Sequence, residues 1–183
     1  AHRLGMQRMK WEMEDESLRF LDPVAYKEIS DELAAQAKAH AAFMERIQNE
    51  IQDRLKKEGI QGTVYGRVKH VYSIYRKMYA QNKKLSEIFD LYAFRVIVDD
   101  IPTCYSVLGC IHDMYKAVLG RFKDYIGTPK PNMYQSLHTT VIGSEGIPFE
   151  VQIRTWEMHH MAEYGVAAHW KYKQGLSNKQ LGT

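Results

Sequence analysis

Cysteine is scarce, and long apolar runs and a charge excess of either sign are missing; each shortage removes a class of protein. The 183-residue chain holds only Cys104 and Cys110. Without Cys-x-x-Cys spacing, they exclude a disulfide framework and a thiolate zinc site, and two buried thiols in a reducing cytosol are expected. Five prolines and 12 glycines are too few for a collagenous or Pro/Gly-rich disordered chain. No apolar stretch approaches the roughly 20 residues that span a bilayer, so no membrane partner is expected. The N-terminal Ala1-His2-Arg3-Leu4-Gly5-Met6 lacks a signal-peptide pattern, and a cytoplasmic location follows as an expectation. Lysine and arginine number 25 against 22 aspartates and glutamates, a net charge of +3. A bulk nucleic-acid binder is usually far more basic, so any anion site must arise from local clustering. What is present is ordinary for a globular domain with one core and an extension: 45% hydrophobic and 26% charged residues.

Periodicity divides the chain into helices followed by a mixed region. Residues 6 to 21 read as a helix. Asp22-Pro23 is a strong helix start, with Asp as N-cap and Pro at the first helical position. Ile29, Leu33, Ala37, Ala41, Met44, Ile47, Ile51 and Leu55 then recur every three or four residues, predicting a helix from 23 to 58 that stops at Gly59. At ~1.5 Å per residue it would be about 54 Å long, so it either reaches beyond one compact domain or breaks. A strand is predicted within 62–69, a helix over 71–81, a strand over 93–98, and a helix capped by Thr103 running to about Val118. Residues 121–136 read as loop. Strands over 137–142 and 147–154 form a hairpin around Gly143-Ser144-Glu145-Gly146. Helices follow over 156–164 and 166–172, with a polar tail beyond. This order predicts a small mixed sheet with helices on it, an α+β or α/β domain.

Five places could carry chemistry. Arg67, Lys69, Arg76 and Lys77 cluster with Ser73 around a strand-to-helix junction, where a helix N-terminus adds partial positive charge and favours an anion. Ser73 and Lys77 share a helix face; the plain alternative is a solvated basic face. On 147–154, Phe149, Val151 and Ile153 alternate with Glu150, Gln152 and Arg154, which form either a solvated outer face or a carboxylate projected into a cleft. Asp90 precedes the strand 93–98, where a capping or turn aspartate is the plain alternative. If that strand neighbours the hairpin, Asp90 and Glu150 converge as two hard-oxygen donors suited to Mg²⁺. Arg95 interrupts an apolar strand, and either snorkels at an edge or stacks on something flat. Lys123, Lys130, Asn132, Tyr134 and His138 enrich one loop with groups that could hold a nucleotide; the plain alternative is a polar surface loop. His159, His160 and His169 match no metal motif.

Taken together, Gly66-Arg67-Val68-Lys69-His70 with Ser73 and Lys77, Phe89-Asp90-Leu91, Arg121-Phe122-Lys123-Asp124-Tyr125, Lys130 through Thr140, and Glu150-Val151-Gln152-Ile153-Arg154-Thr155 resemble the synthetase domain of the RelA/SpoT family, the guanosine tetra- and pentaphosphate synthetases. The resemblance is to the bifunctional synthetase-hydrolase form. It implies an α+β fold, a nucleotidyltransferase-like mixed sheet flanked by helices with an N-terminal helical extension. It divides the chain into a connector remnant at 1–24 after an absent hydrolase domain, a synthetase domain at 25–175, and a flexible tail at 176–183. It implies transfer of the β,γ-pyrophosphoryl group of ATP to the 3′-hydroxyl of GDP or GTP, with Mg²⁺.

By the same resemblance, Arg67 and Arg95 would sandwich adenine, and Lys69, Ser73 and Lys77 would hold the ATP phosphates. Asp90 and Glu150 would bind Mg²⁺, with Glu150 also the base. Tyr134 would stack on guanine, and Asn132, Lys123, Lys130, Gln152 and His138 would complete the acceptor site. The basic Arg121-Phe122-Lys123-Asp124 favours GDP. Met133 stands where the family more often has glycine, and methionine does not take positive φ as glycine does. The longer parent would associate with ribosomes, this fragment would need no nucleic acid, and an apolar face on its N-terminal helices opens self-association. Two other readings stand beside this one. A nucleotidyltransferase would release pyrophosphate and require a nucleic acid; a guanine-nucleotide sensor would bind and turn nothing over.

Overall fold

A computed structural model of the chain describes residues 6–88 and 91–165. Asp90, His169 and the 166–172 and 176–183 segments lie outside the described residues. Three helices come first: α1 (Met6–Leu21), α2 (Pro23–Ala35) and α3 (Ala37–Lys57). As expected, Asp22 caps α2, its Oδ1 accepting the N–H of Ala25 at 3.1 Å, and Gly59 ends α3 at φ +69°.

The long helix breaks at Gln36 (φ −104°, ψ 6°). The two halves serve different cores. Ile29 of α2 packs with Ile74 and Ile88, whereas Phe43, Ile47, Ile51 and Leu55 of α3 belong to the main core against the sheet. A straight rod could not bury both faces.

Then follow β1 (Gly62–Val68), α4 (Val71–Ala80), β2 (Tyr92–Val98), α5 (Ile101–Met114), β3 (Lys116–Ala117), β4 (Lys123–Asp124), β5 (Leu137–Ile142), β6 (Pro148–Thr155) and α6 (Trp156–Tyr164). The strands form one mixed sheet in the order β1-β2-β6-β5-β3, with β4 also on β5. Among the described strands only β2 and β6 run parallel; the other pairs are antiparallel. Phe94, Val96, Val98, Phe149, Val151 and Ile153 are fully buried under α3 and α5. Burying each such side chain is worth about 1.5–3 kcal/mol, against about 0–1 for an exposed ion pair such as Arg46–Glu145. The apolar face therefore sets the register, and a one-residue slip would turn it outward.

Three boundaries differ from the sequence reading. Asp100, not Thr103, caps α5, accepting both the N–H and the hydroxyl of Thr103. That helix stops at Met114 rather than Val118, because Tyr115 turns inward against Phe149 and donates to Glu50 at 2.7 Å. The chain beyond pairs with the edge of β5. Lys123-Asp124, read as loop, adds a short strand to the other end of β5. Cys104 is buried but Cys110 only half-buried. Burial pushes the Cys104 thiol up to about 12, so it is not a nucleophile at neutral pH.

Gly66 has a packing reason. A Cβ there would meet Phe94 Cε1 at 2.9 Å and Met44 Cε at 2.8 Å, so the strand leading into the basic junction can lie against the core only without a side chain.

Candidate active site

The face of the sheet opposite α3 and α5 gathers most of the predicted residues in rows. Directly paired residues on neighbouring strands project to the same side. Arg95, Gln152, His138 and Lys123 are such partners across β2, β6, β5 and β4. The adjacent row runs Arg67, Ala93, Glu150 and Thr140. Ile97 and Arg154 pair in the row beyond Arg95 and Gln152. The alternation on β6 thus resolves in favour of the cleft. Gln152 is 6% exposed and Arg154 1%, so this is no solvated outer face. Arg95 does not snorkel at an edge, since β2 lies between β1 and β6.

Hydrogen bonds link the rows into a chain. Arg95 Nη1 donates to Glu163 Oε1 of α6 at 2.9 Å, and its Nε to Gln152 Oε1 at 3.3 Å. Gln152 Nε2 donates to Glu150 Oε1 at 2.5 Å. His138 Nδ1 lies 3.5 Å from that same carboxylate oxygen, and its Nε2 is 2.8 Å from the Tyr134 hydroxyl. A cavity of about 450 Å³ is bordered by Arg67, Arg95, Asn132, Tyr134, Gln152 and Arg154, among others. It therefore joins the two predicted donor arginines to three predicted acceptor residues. Glu150, Lys69, Ser73, Lys77, Lys123, Lys130 and His138 do not border it.

Electrostatics place Lys69 and Lys77 near Glu150 all the same. Burial raises the Glu150 carboxyl, but Lys69 first, then the Gln152 hydrogen bond and Lys77, outweigh it, and the net shift is downward. Glu150 is ionised at neutral pH. Burial pulls His138 down to about 4, so it is neutral at pH 7 and its contact with Glu150 is not an ion pair. Burial lowers Lys69, and it lowers Arg67 and Arg154 to about 10, each helped by Arg95; both arginines keep their charge. Burial, with Lys69 next, lowers Lys77 to about 8.

The Lys77 shift has a measurable sign. Below pH 8 Lys77 carries its proton before and after an anion binds. Above pH 8 the free chain has lost it and the anion must bring it back, so affinity falls, by at most about tenfold per pH unit. Titrating the chain with tripolyphosphate from pH 7 to 9.5 should show this fall, and Lys77→Arg should flatten it.

Ser73 is turned aside: its hydroxyl lies 3.1 Å from the His70 ring. In the 123–138 segment, Asp124 Oδ1 accepts the N–H groups of Ile126 and Gly127. Lys130 Nζ lies 4.6 Å from the Tyr125 ring centroid and 5.3 Å from that of Tyr134. Asn132 Oδ1 accepts the Tyr134 N–H at 3.1 Å. Met133 adopts φ +66°, so the loop keeps the left-handed bend without a glycine, at a cost of order 1 kcal/mol. Its side chain is 55% exposed. Met133→Gly should therefore raise unfolding free energy by up to about 1 kcal/mol, read by urea denaturation; a loss would show that the methionine side chain holds the loop.

Three site residues lie outside the sequence-based candidates: Arg154 shares only the alternation with Glu150 and Gln152, and Glu163 and Trp11 carry no local signal. Arg154 Nε and Nη2 are buried without a hydrogen-bond partner, and Glu163 is the carboxylate nearest them, at 3.8 Å from Nη2.

Among the described residues, no helix is long and apolar enough to cross a membrane. The family described as "Region found in RelA / SpoT proteins" matches residues 66–177. The chain is 50% identical to a probable guanosine-3′,5′-bis(diphosphate) 3′-pyrophosphohydrolase of Synechocystis, covering 99% of this chain and 24% of that protein. It is 51% identical to a GTP pyrophosphokinase of Streptomyces coelicolor, covering 95% of this chain and 20% of that protein. The chain thus spans a quarter or less of the length of these relatives. Among solved structures it resembles small alarmone synthetase 2 of Bacillus subtilis at 29% identity and a TM-score of 0.55, covering 83% of this chain and 85% of that one. The matched segment begins at Gly66 and takes in all three rows of site residues, and on that match the chain belongs to the RelA/SpoT family.

Proposed function

We propose that the chain is a GTP pyrophosphokinase that transfers the β,γ-pyrophosphoryl group of ATP to the 3′-hydroxyl of GDP or GTP. The observation that carries this reading is the order of groups on one sheet face. Arg67 and Arg95 stand at one end, the ionised Glu150 at the centre, and His138 with Tyr134 at the other. Two planar guanidiniums suit a purine of the donor. Lys69 and Lys77 suit its phosphates, and Tyr134 the base of the acceptor.

Phosphoryl-type transfer asks the protein mainly for positioning and for charge on the transferring oxygens. A carboxylate of depressed pKa is a weak base, yet a loose transition state needs the hydroxyl proton removed only late, and Glu150 can take it. Magnesium fits this donor set. Among the described residues no three His, Cys, Asp or Glu side chains group into a metal cage, whereas Mg²⁺ is commonly held by one or two carboxylates and completed by substrate phosphates. Glu150 and Asp90 would hold it, and when bound it would neutralise charge on the phosphates. The exposed Met13, Phe20, Leu21 and Val24 support self-association through the N-terminal helices.

The test is to incubate the chain with γ-labelled ATP, GDP and Mg²⁺ and separate the nucleotides. Label in a guanosine 3′-diphosphate species, with AMP as co-product, is the expected result. Label confined to free phosphate or pyrophosphate would overturn the reading. GDP is expected to be the better acceptor, measured by competition with GTP.

A further inference from the structure

Helix α1 reaches onto the donor half of the site, although residues before 25 read as a connector. The Trp11 ring lies 4.3 Å from the guanidinium carbon of Arg67. It also stacks on His70, centroids 5.4 Å apart and planes 28° apart. One turn on, Glu14 Oε2 meets His70 Nε2 at 3.3 Å, and Asp15 Oδ1 accepts the N–H of Tyr72 in the first turn of α4 at 2.9 Å. Trp11 borders the same cavity as Arg67 and Arg95.

We propose that Trp11 is a positioning residue of the donor-base pocket, which fixes the plane of the Arg67 guanidinium and adds an apolar wall for the purine. The proposal rests on the reading of ATP as donor. Arg67 needs such a support. Its Nε is buried without a hydrogen-bond partner, and Arg95 repels it. An aromatic face attracts a guanidinium and orients its plane without adding charge. A carboxylate in the same place would also hold it, but would set a negative charge beside incoming phosphates. The anchors at Glu14 and Asp15 make the indole's position a property of the whole helix rather than of one rotamer.

The experiment compares Trp11→Leu and Trp11→Phe in the full 183-residue chain. A non-hydrolysable ATP analogue and inorganic tripolyphosphate are titrated separately, and KM for ATP and for GDP is measured. Trp11→Leu should weaken the ATP analogue about tenfold and raise KM for ATP to match, with kcat, KM for GDP and tripolyphosphate affinity within about twofold of the parent. Trp11→Phe, which keeps a ring, should recover most of the loss. Unchanged or tighter analogue binding in Trp11→Leu would overturn the proposal, the tighter result showing that the indole occupies the purine's place. An equal loss of tripolyphosphate affinity would overturn it too, because the effect would then not belong to the base. If the unmodified chain binds ATP but transfers nothing, the functional reading fails while this one is still decided by binding.

Discussion

Glu150→Gln will lower pyrophosphoryl transfer by about 10³-fold while leaving the fold intact. The size follows from losing a positioned proton acceptor, typically 10²–10⁴-fold, together with a charge that opposes Lys69 and Lys77. The fold should survive because glutamine matches glutamate in shape and the neighbours that hold β6, Phe149 and Val151, face the opposite side and are fully buried. Gln152, which donates to Glu150, can donate to the new amide oxygen as well. Product formation and a thermal melt on the same preparation check both halves. Near-normal turnover would remove Glu150 from the role of base, and a collapsed melt would make the kinetic loss uninterpretable as chemistry.

Lys69→Met should cost about 10²-fold in kcat/KM and also move the acid limb of the pH–rate profile to higher pH. Lys69 is the largest of the influences that hold the Glu150 carboxyl down. Without it the Glu150 pKa rises, and the ionised form that can accept a proton is lost sooner as pH falls. Methionine keeps most of the aliphatic stem, so packing changes little. Burial depresses the Lys69 ammonium, which means the charged group is held in the site at an energetic cost; the variant should be at least as stable as the parent. A profile reduced in height but unmoved in pH would separate Lys69 from Glu150 and leave it only a phosphate contact.

How much of this was legible in the sequence differs by element. The alternation on 147–154 predicts its strand because one face is wholly apolar and buried, which writes a period of two into the residues, whereas 93–98 reads as a strand because it is a short, nearly continuous apolar run buried on both faces. Asp22-Pro23 and Gly59 mark helix ends through backbone chemistry that acts locally. The break at Gln36 left no such mark. It carries no proline or glycine, and arises because α2 and α3 pack on different cores. The early end of α5 is likewise a tertiary decision: Tyr115 continues a helical pattern, but its ring is worth more against Phe149. Met133 shows the reverse case, a local preference overridden, since the turn from Lys130 to Met133 and the Asn132 side chain hold the bend.

The sequence by itself determined which chemical groups this protein owns and in what order: the basic junction at 67–77, the arginine within β2, the carboxylate of β6, and the aromatic and cationic loop. Those follow from residue types and short spacings, and the family resemblance rests on them. Only the tertiary structure decided which of these groups meet. Parallel pairing of β2 with β6 sets Arg95 beside Gln152 and Ala93 beside Glu150, and β5 completes the row with His138. It also brought in Arg154, Glu163 and Trp11, the last from a helix more than fifty residues away from Arg67 in sequence. Such contacts cannot be read from periodicity, because they depend on strand order and on where a distant helix docks, and neither leaves a repeating trace in the chain.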